Sequence, residues 1–252
     1  MSKVKWMVST AARNNLLEEM GSDNVIAIEP EKLLQNLAKT QPGMLHYTCP
    51  AFVDAFKNTY IYKAPFDISI KIDPSNRTVE MDKESDLVDK YLYHRKNDSP
   101  ESGNILFSLN YFLLFITDDD VEVETMPCLY HQNDFTNNTM IVSGKFNIRD
   151  WIRTLELAAI VKNSDPNNKE CIYITIKRGD PLMYIRFYPS DSSAVKLEQE
   201  FDFDVIEKYT KLCRVTTFVK QTNPHTKLLD LYKMFSPFRK KLNSKKCPFK
   251  FK

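Results

Sequence analysis

Four histidines, His46, His94, His131 and His225, are the imidazoles this 252-residue chain offers for metal ligation or general base work. A facial metal triad needs an acid two positions beyond one of them. At that spacing His131 meets Asn133, His94 meets Lys96 and His46 meets Thr48. None fits, and His131 with Asp134 is at most half of a site. The five cysteines, Cys49, Cys128, Cys171, Cys213 and Cys247, contain no C-x-x-C pair. They read as reduced thiols rather than a zinc knuckle or a redox couple. Asp118-Asp119-Asp120 reads as a solvated acidic turn at the start of a strand. No G-x-S-x-G elbow is present, and the five glycines lie too far apart to cradle a phosphate. The expectation is therefore no catalytic residue, no metal and no cofactor.

Two other groups of residues have the chemistry of recognition. Trp151 stands between Arg149 and Arg153, and an indole flanked by guanidiniums can stack a planar or anionic ligand. Asp180, in the turn Gly179-Asp180-Pro181, is the polar group expected to join them if that site is concave. More commonly such a Trp plugs the end of a β-structure while its arginines pair with acids, and Gly-Asp-Pro forms a hairpin corner. The second group is the C-terminal tail. Arg239, Lys240, Lys241, Lys245, Lys246, Lys250 and Lys252 occur there without an acid, interleaved with Phe249 and Phe251. Removing these seven leaves 28 basic residues against 33 acids in the rest of the chain. A basic, aromatic tail on an acidic body suits a protein partner or single-stranded nucleic acid.

These residues are carried by a chain whose pattern is mostly β. Phe66–Ile72 and Asp120–Thr125 alternate apolar and polar residues, as strands with one wet face do. Tyr111–Ile116 is continuously apolar and reads as a doubly buried central strand. Further strands are expected at Leu155–Val161, Cys171–Ile176, Leu182–Tyr188 and Ala194–Leu197. Phe112, Leu114, Ile116, Ile172, Ile174, Ile176, Leu182, Tyr184, Ile185 and Phe187 are the expected core.

Before this region, Trp6-Met7-Val8 reads as a short edge strand and Pro30–Ala38 as a helix ended by Gln41-Pro42-Gly43. Thr48 is placed to cap a short helix over Pro50–Phe56. After it, Phe203–Val219 has helical period, and a second helix is expected around Leu228–Phe235. The expected organisation is an N-terminal arm and helix (1–45), a β-sandwich domain (46–200), a helical pair (201–238) and a basic tail (239–252). Several short strands joined by polar turns argue for an antiparallel, jelly-roll-like sandwich.

The block Ile141-Val-Ser-Gly-Lys-Phe-Asn-Ile-Arg-Asp-Trp-Ile-Arg153 is followed by Ile176-Lys-Arg-Gly-Asp-Pro-Leu-Met-Tyr-Ile-Arg-Phe187. Together with Cys49-Pro-Ala-Phe-Val-Asp54 and Thr59–Asp67, it resembles a family of uncharacterised proteins from tailed phages and bacteria. The likeness spans roughly residues 48 to 190. It implies a shared fold and a phage-encoded, non-catalytic binding or structural protein with a protein partner or self-association. The host cytoplasm or the virion is then its place. The basic start Met1-Ser-Lys-Val-Lys5 is not followed by the apolar stretch of a secretory signal, so secretion is not expected. No membrane span is expected either. Two other functions are weighed: a cupin-like metal-dependent oxygenase with a site in the sandwich mouth, and a nucleic-acid or host-machinery modulator acting through the tail.

Overall fold

The computed structural model describes residues 1–10, 28–43, 49–81, 92–95, 104–162 and 170–222, with single positions at 167, 225, 227, 230 and 234. The Thr48 cap, the Phe112 side chain, the second C-terminal helix and the basic tail lie outside the described residues.

Within them the protein is mainly β, with three sheets. In chain order the strands are β1 (Ser2–Val8), β2 (Glu31–Lys32), β3 (Thr59–Lys63), β4 (Ile68–Asp73), β5 (Thr78–Met81), β6 (Leu92–Arg95) and β7 (Leu106–Ile116). They continue as β8 (Val121–Met126), β9 (Thr139–Ile141), β10 (Gly144–Asn147), β11 (Thr154–Val161), β12 (Ile172–Ile176), β13 (Pro181–Pro189) and β14 (Val195–Gln199). Four helices accompany them: α1 (Leu33–Thr40), α2 (Pro50–Phe56), α3 (Asp134–Asn138) and α4 (Phe203–Thr222). The first sheet has the order β14-β1-β7-β11-β9, with β6 also on β7. The second runs β10-β8-β13-β3-β2 and the third β12-β4-β5.

Alternation explains how the sheets meet. Val121 and Val123 of β8, Ile185 and Phe187 of β13, and Leu113 and Phe115 of β7 all enter one buried cluster. The Phe115 and Phe187 rings, from the first and second sheets, meet edge-on with centroids 5.4 Å apart. The continuous run in β7 is doubly buried as expected. Its other face, Leu114 and Ile116, packs with Met7, Ile152, Ile206 and Tyr209 beneath α4. Of the expected core, Leu114, Ile116, Ile174, Ile176, Leu182, Tyr184, Ile185 and Phe187 are buried, whereas Ile172 is only partly so.

Three expectations need correction. β1 is not an edge strand: it lies between β14 and β7, with Val4 and Trp6 in the main core. Its pairing with β14 is parallel, Ser2 opposite Val195 through Trp6 opposite Gln199, while every other described pair is antiparallel. Second, Pro30 does not open a helix. Glu31 and Lys32 pair with Ile61 and Tyr60, and the helix begins at Leu33. Third, Gly179-Asp180-Pro181 is not a hairpin corner, because β12 pairs with β4 and β13 with β3 and β8. The β3–β13 ribbon instead continues into β4–β12 across a bend. Ala64 N–H donates to Asp180 O (2.9 Å) and Gly179 N–H to Ala64 O (2.8 Å). Gly179 takes φ +91°, the left-handed region glycine enters without a Cβ penalty.

Candidate functional site

The block from Thr139 to Arg153 supplies an end strand to each of the two larger sheets and passes from the first to the second. β9 ends one sheet on β11 and β10 ends the other on β8. Only Val142 and Ser143 separate them. On an antiparallel edge, alternate residues direct their main-chain groups toward the partner and the others away. Val142 N–H donates inward to Ala158 O (2.9 Å), so Ile141 directs its N–H and C=O outward. Ile148 N–H donates inward to Val121 O (3.0 Å), which by the same alternation turns Lys145 outward. Met140 and Val142 are 50% and 42% exposed, while Ile141 is buried. This edge therefore offers main-chain hydrogen bonds beside apolar side chains.

The turn after β10 carries the aromatic and basic residues singled out from sequence. Asn147 shapes it: its carbonyl accepts from Trp151 N–H (2.9 Å) and its side chain from Arg149 N–H (2.9 Å). Trp151 is partly buried, 4.8 Å from the Phe146 ring, and the Arg153 guanidinium lies 5.5 Å from its centroid. Arg149 pairs with Asp150 (3.2 Å) and Asp120 (3.5 Å), and Arg153 with Glu156 (3.5 Å). Both arginines thus meet acids. Asp180 does not join them. Its carboxylate accepts from Lys177 N–H (2.8 Å) at the sheet bend, so its role there is to hold the turn.

A polar chain that no spacing motif announces lies over the outer face of the second sheet. Tyr130 N–H donates to Tyr184 Oη (3.0 Å), which is 2.7 Å from His131 Nδ1. His131 Nε2 is 2.8 Å from Asn36 Oδ1, and Asn36 Nδ2 donates to Glu31 (2.9 Å). Glu31 also takes Lys63 (2.7 Å) and Lys39 (3.3 Å). The donors fix the tautomer. Since the Asn36 oxygen can only accept, Nε2 carries the proton and Nδ1 accepts from Tyr184. Burial, then the Lys63 charge, holds His131 below its ordinary value of 6.5, with Glu31 opposing. At Glu31 burial pulls upward, but the hydrogen bonds from Lys63 and Asn36 outweigh it and set the carboxyl at about 2. Sequence reasoning noticed His131 only with Asp134, but the two take different partners. Asp134 instead accepts from Thr175 N–H (2.6 Å) and Asn138 (2.8 Å).

A pH dependence follows, with its sign set by a neutral folded His131. The unfolded chain binds the proton more readily, so this stabilisation is full above 6.5 and is lost as pH falls below it. The Glu31 contribution is lost later, between 4.5 and about 2. The thermal midpoint should hold from pH 8 to 7, decline below 6.5 and decline again below 4.5. His131→Gln should lower the plateau by about 1–3 kcal/mol and flatten the first decline. An unchanged slope between pH 7 and 5 in the variant would remove His131 from the titration.

Among the described residues, the fold and this block define a mainly β protein of three sheets with an exposed two-sheet edge. No protein-family model matches the chain, and neither a curated protein nor a solved structure does. Among the described residues, no group of three or more His, Cys, Asp or Glu is placed to hold a metal ion. No helix there is long and apolar enough to cross a membrane.

Proposed function

We propose that the sheets form an antiparallel β-sandwich of jelly-roll type and that the chain is a non-catalytic binding or structural protein encoded by a tailed phage. The contact of Phe115 with Phe187 between the two larger sheets supports the sandwich. The parallel β1–β14 pair is a departure from a purely antiparallel one. The phage assignment rests on the resemblance of the Ile141–Arg153 and Ile176–Phe187 blocks.

One observation carries the binding reading. Arg149, Arg153, Asp180 and His131, the groups best suited to chemistry, all bond within the protein. The β9–β10 edge, by contrast, presents outward main-chain groups and exposed Met140 and Val142. Such a surface recognises an extended segment by strand addition, where backbone bonds give affinity and apolar contacts give choice.

The rival oxygenase reading requires iron. Elemental analysis of the full chain, purified from iron-supplemented cells without chelator, should find far less than one transition metal per chain. An iron content near one per chain, restored after stripping, would overturn the binding reading.

A further inference from the structure

The described sheet edges are unequal in how they are closed. On β12, the Thr175 N–H is taken by the Asp134 carboxylate at 2.6 Å. On β14, Asn58 accepts from Val195 N–H (2.9 Å) and Tyr60 donates to Val195 O (2.8 Å). β2 is two charged residues long and β5 carries Glu80. β10 carries Lys145, which reaches back to Glu122 at 2.6 Å. These are the devices by which proteins keep sheet edges from pairing. β9, although short, carries no charge and, among the described residues, no side-chain cap on its outward main-chain groups. Thr139–Ile141 and the following Val142, Ser143 and Gly144 include no charge and no proline. The two side chains facing out from this edge, Met140 and Val142, are among the exposed large hydrophobics.

From this contrast we propose that β9 is a self-association edge, joined by β9 of a second copy of this chain in antiparallel register about Ile141. The inference rests on the binding reading above and names its partner. A second copy fits for three reasons. With the two-fold axis at Ile141, its outward N–H and C=O meet the same pair on the other copy, forming a hydrogen-bonded pair. Met140 of each copy then stands opposite Val142 of the other, so two exposed apolar residues cover one another. Lastly, the edge segment Thr139–Gly144 carries no charge, so no like charges are opposed when identical edges meet. The strand is short, which places the association in the weak, reversible class.

Sedimentation velocity on the full chain tests this, run across a concentration series into the high micromolar range. The unmodified chain should shift from monomer to dimer. M140K/V142K and M140E/V142E each place like charges opposite one another twice and should weaken dimerisation by about tenfold or more. Both positions are exposed, so the fold should be unaffected. An equimolar mixture of the two variants should regain the dimer, because lysine then faces glutamate across the axis. A chain monomeric throughout, a charged variant that dimerises like the parent, or a mixture that stays monomeric would each overturn the proposal. A monomeric parent leaves the non-catalytic reading intact, whereas stoichiometric iron would remove that reading whatever the association state.

Discussion

Replacing Trp6 by alanine is expected to lower the unfolding free energy by about 3–5 kcal/mol, the usual cost of emptying a buried aromatic site. Trp6 is 1% exposed and sits in the main core on a strand with neighbours on both sides. The loss would be global, because β1 joins β14 to the rest of the first sheet. Trp6→Phe is the informative companion. The buried indole Nε1 has no hydrogen-bond partner among the described residues, so phenylalanine removes volume but also removes a desolvated donor. It should cost well under half of what alanine costs. Denaturant midpoints for both variants check this, and similar losses for the two would mean that the nitrogen is satisfied in solution. Were the N-terminal segment merely an arm, Trp6→Ala would leave the cooperative transition in place.

Leu114→Ala should cost about 2–5 kcal/mol, and its effect should be unevenly distributed. Leu114 is fully buried, but it faces away from the main core, beneath α4 with Met7, Ile116, Ile152, Ile206 and Tyr209. Thr10 N–H also donates to Thr210 on that helix (3.1 Å). A cavity there loosens the helix from the sheet. Amide exchange should therefore accelerate more in Phe203–Thr210 than in β8 or β13. Ile174→Ala falls in the same range of cost but empties the main cluster, so it should accelerate exchange in all three sheets. A loss below about 1 kcal/mol for Leu114→Ala would show that the helix is not packed as described.

The parts of this architecture legible in the sequence are those with a local period. Alternation places β4 and β8 within a residue or two of their observed limits, and the unbroken Tyr111–Ile116 run marks the strand buried on both faces. Helical spacing from Phe203 likewise finds α4. What sequence reasoning missed depends on distant partners. Lys3 and Lys5 give β1 the look of a wet edge, and nothing near residue 6 signals a parallel neighbour at residue 199. Gly179-Asp180-Pro181 has the composition of a hairpin turn. It bends a ribbon instead, because Ala64 stands opposite and takes its hydrogen bonds. The His131 chain draws on residues 31, 36, 63, 131 and 184, which share no spacing. Trp151 and the two arginines were found because they are adjacent, but their acid partners emerged only from the fold.

The parallel pairing of β1 with β14 also sets a schedule for synthesis. Ser2 and its partner Val195 are translated 193 positions apart. At roughly 5–20 residues per second that is an interval of about ten to forty seconds. Throughout it the apolar face of Val4 and Trp6 lacks one neighbour, even after β7 has been made. Completion of the first sheet is thus deferred until nearly the whole β region exists. A nascent chain truncated before Val195 would display the Trp6 strand as an open edge, a natural substrate for holdase chaperones.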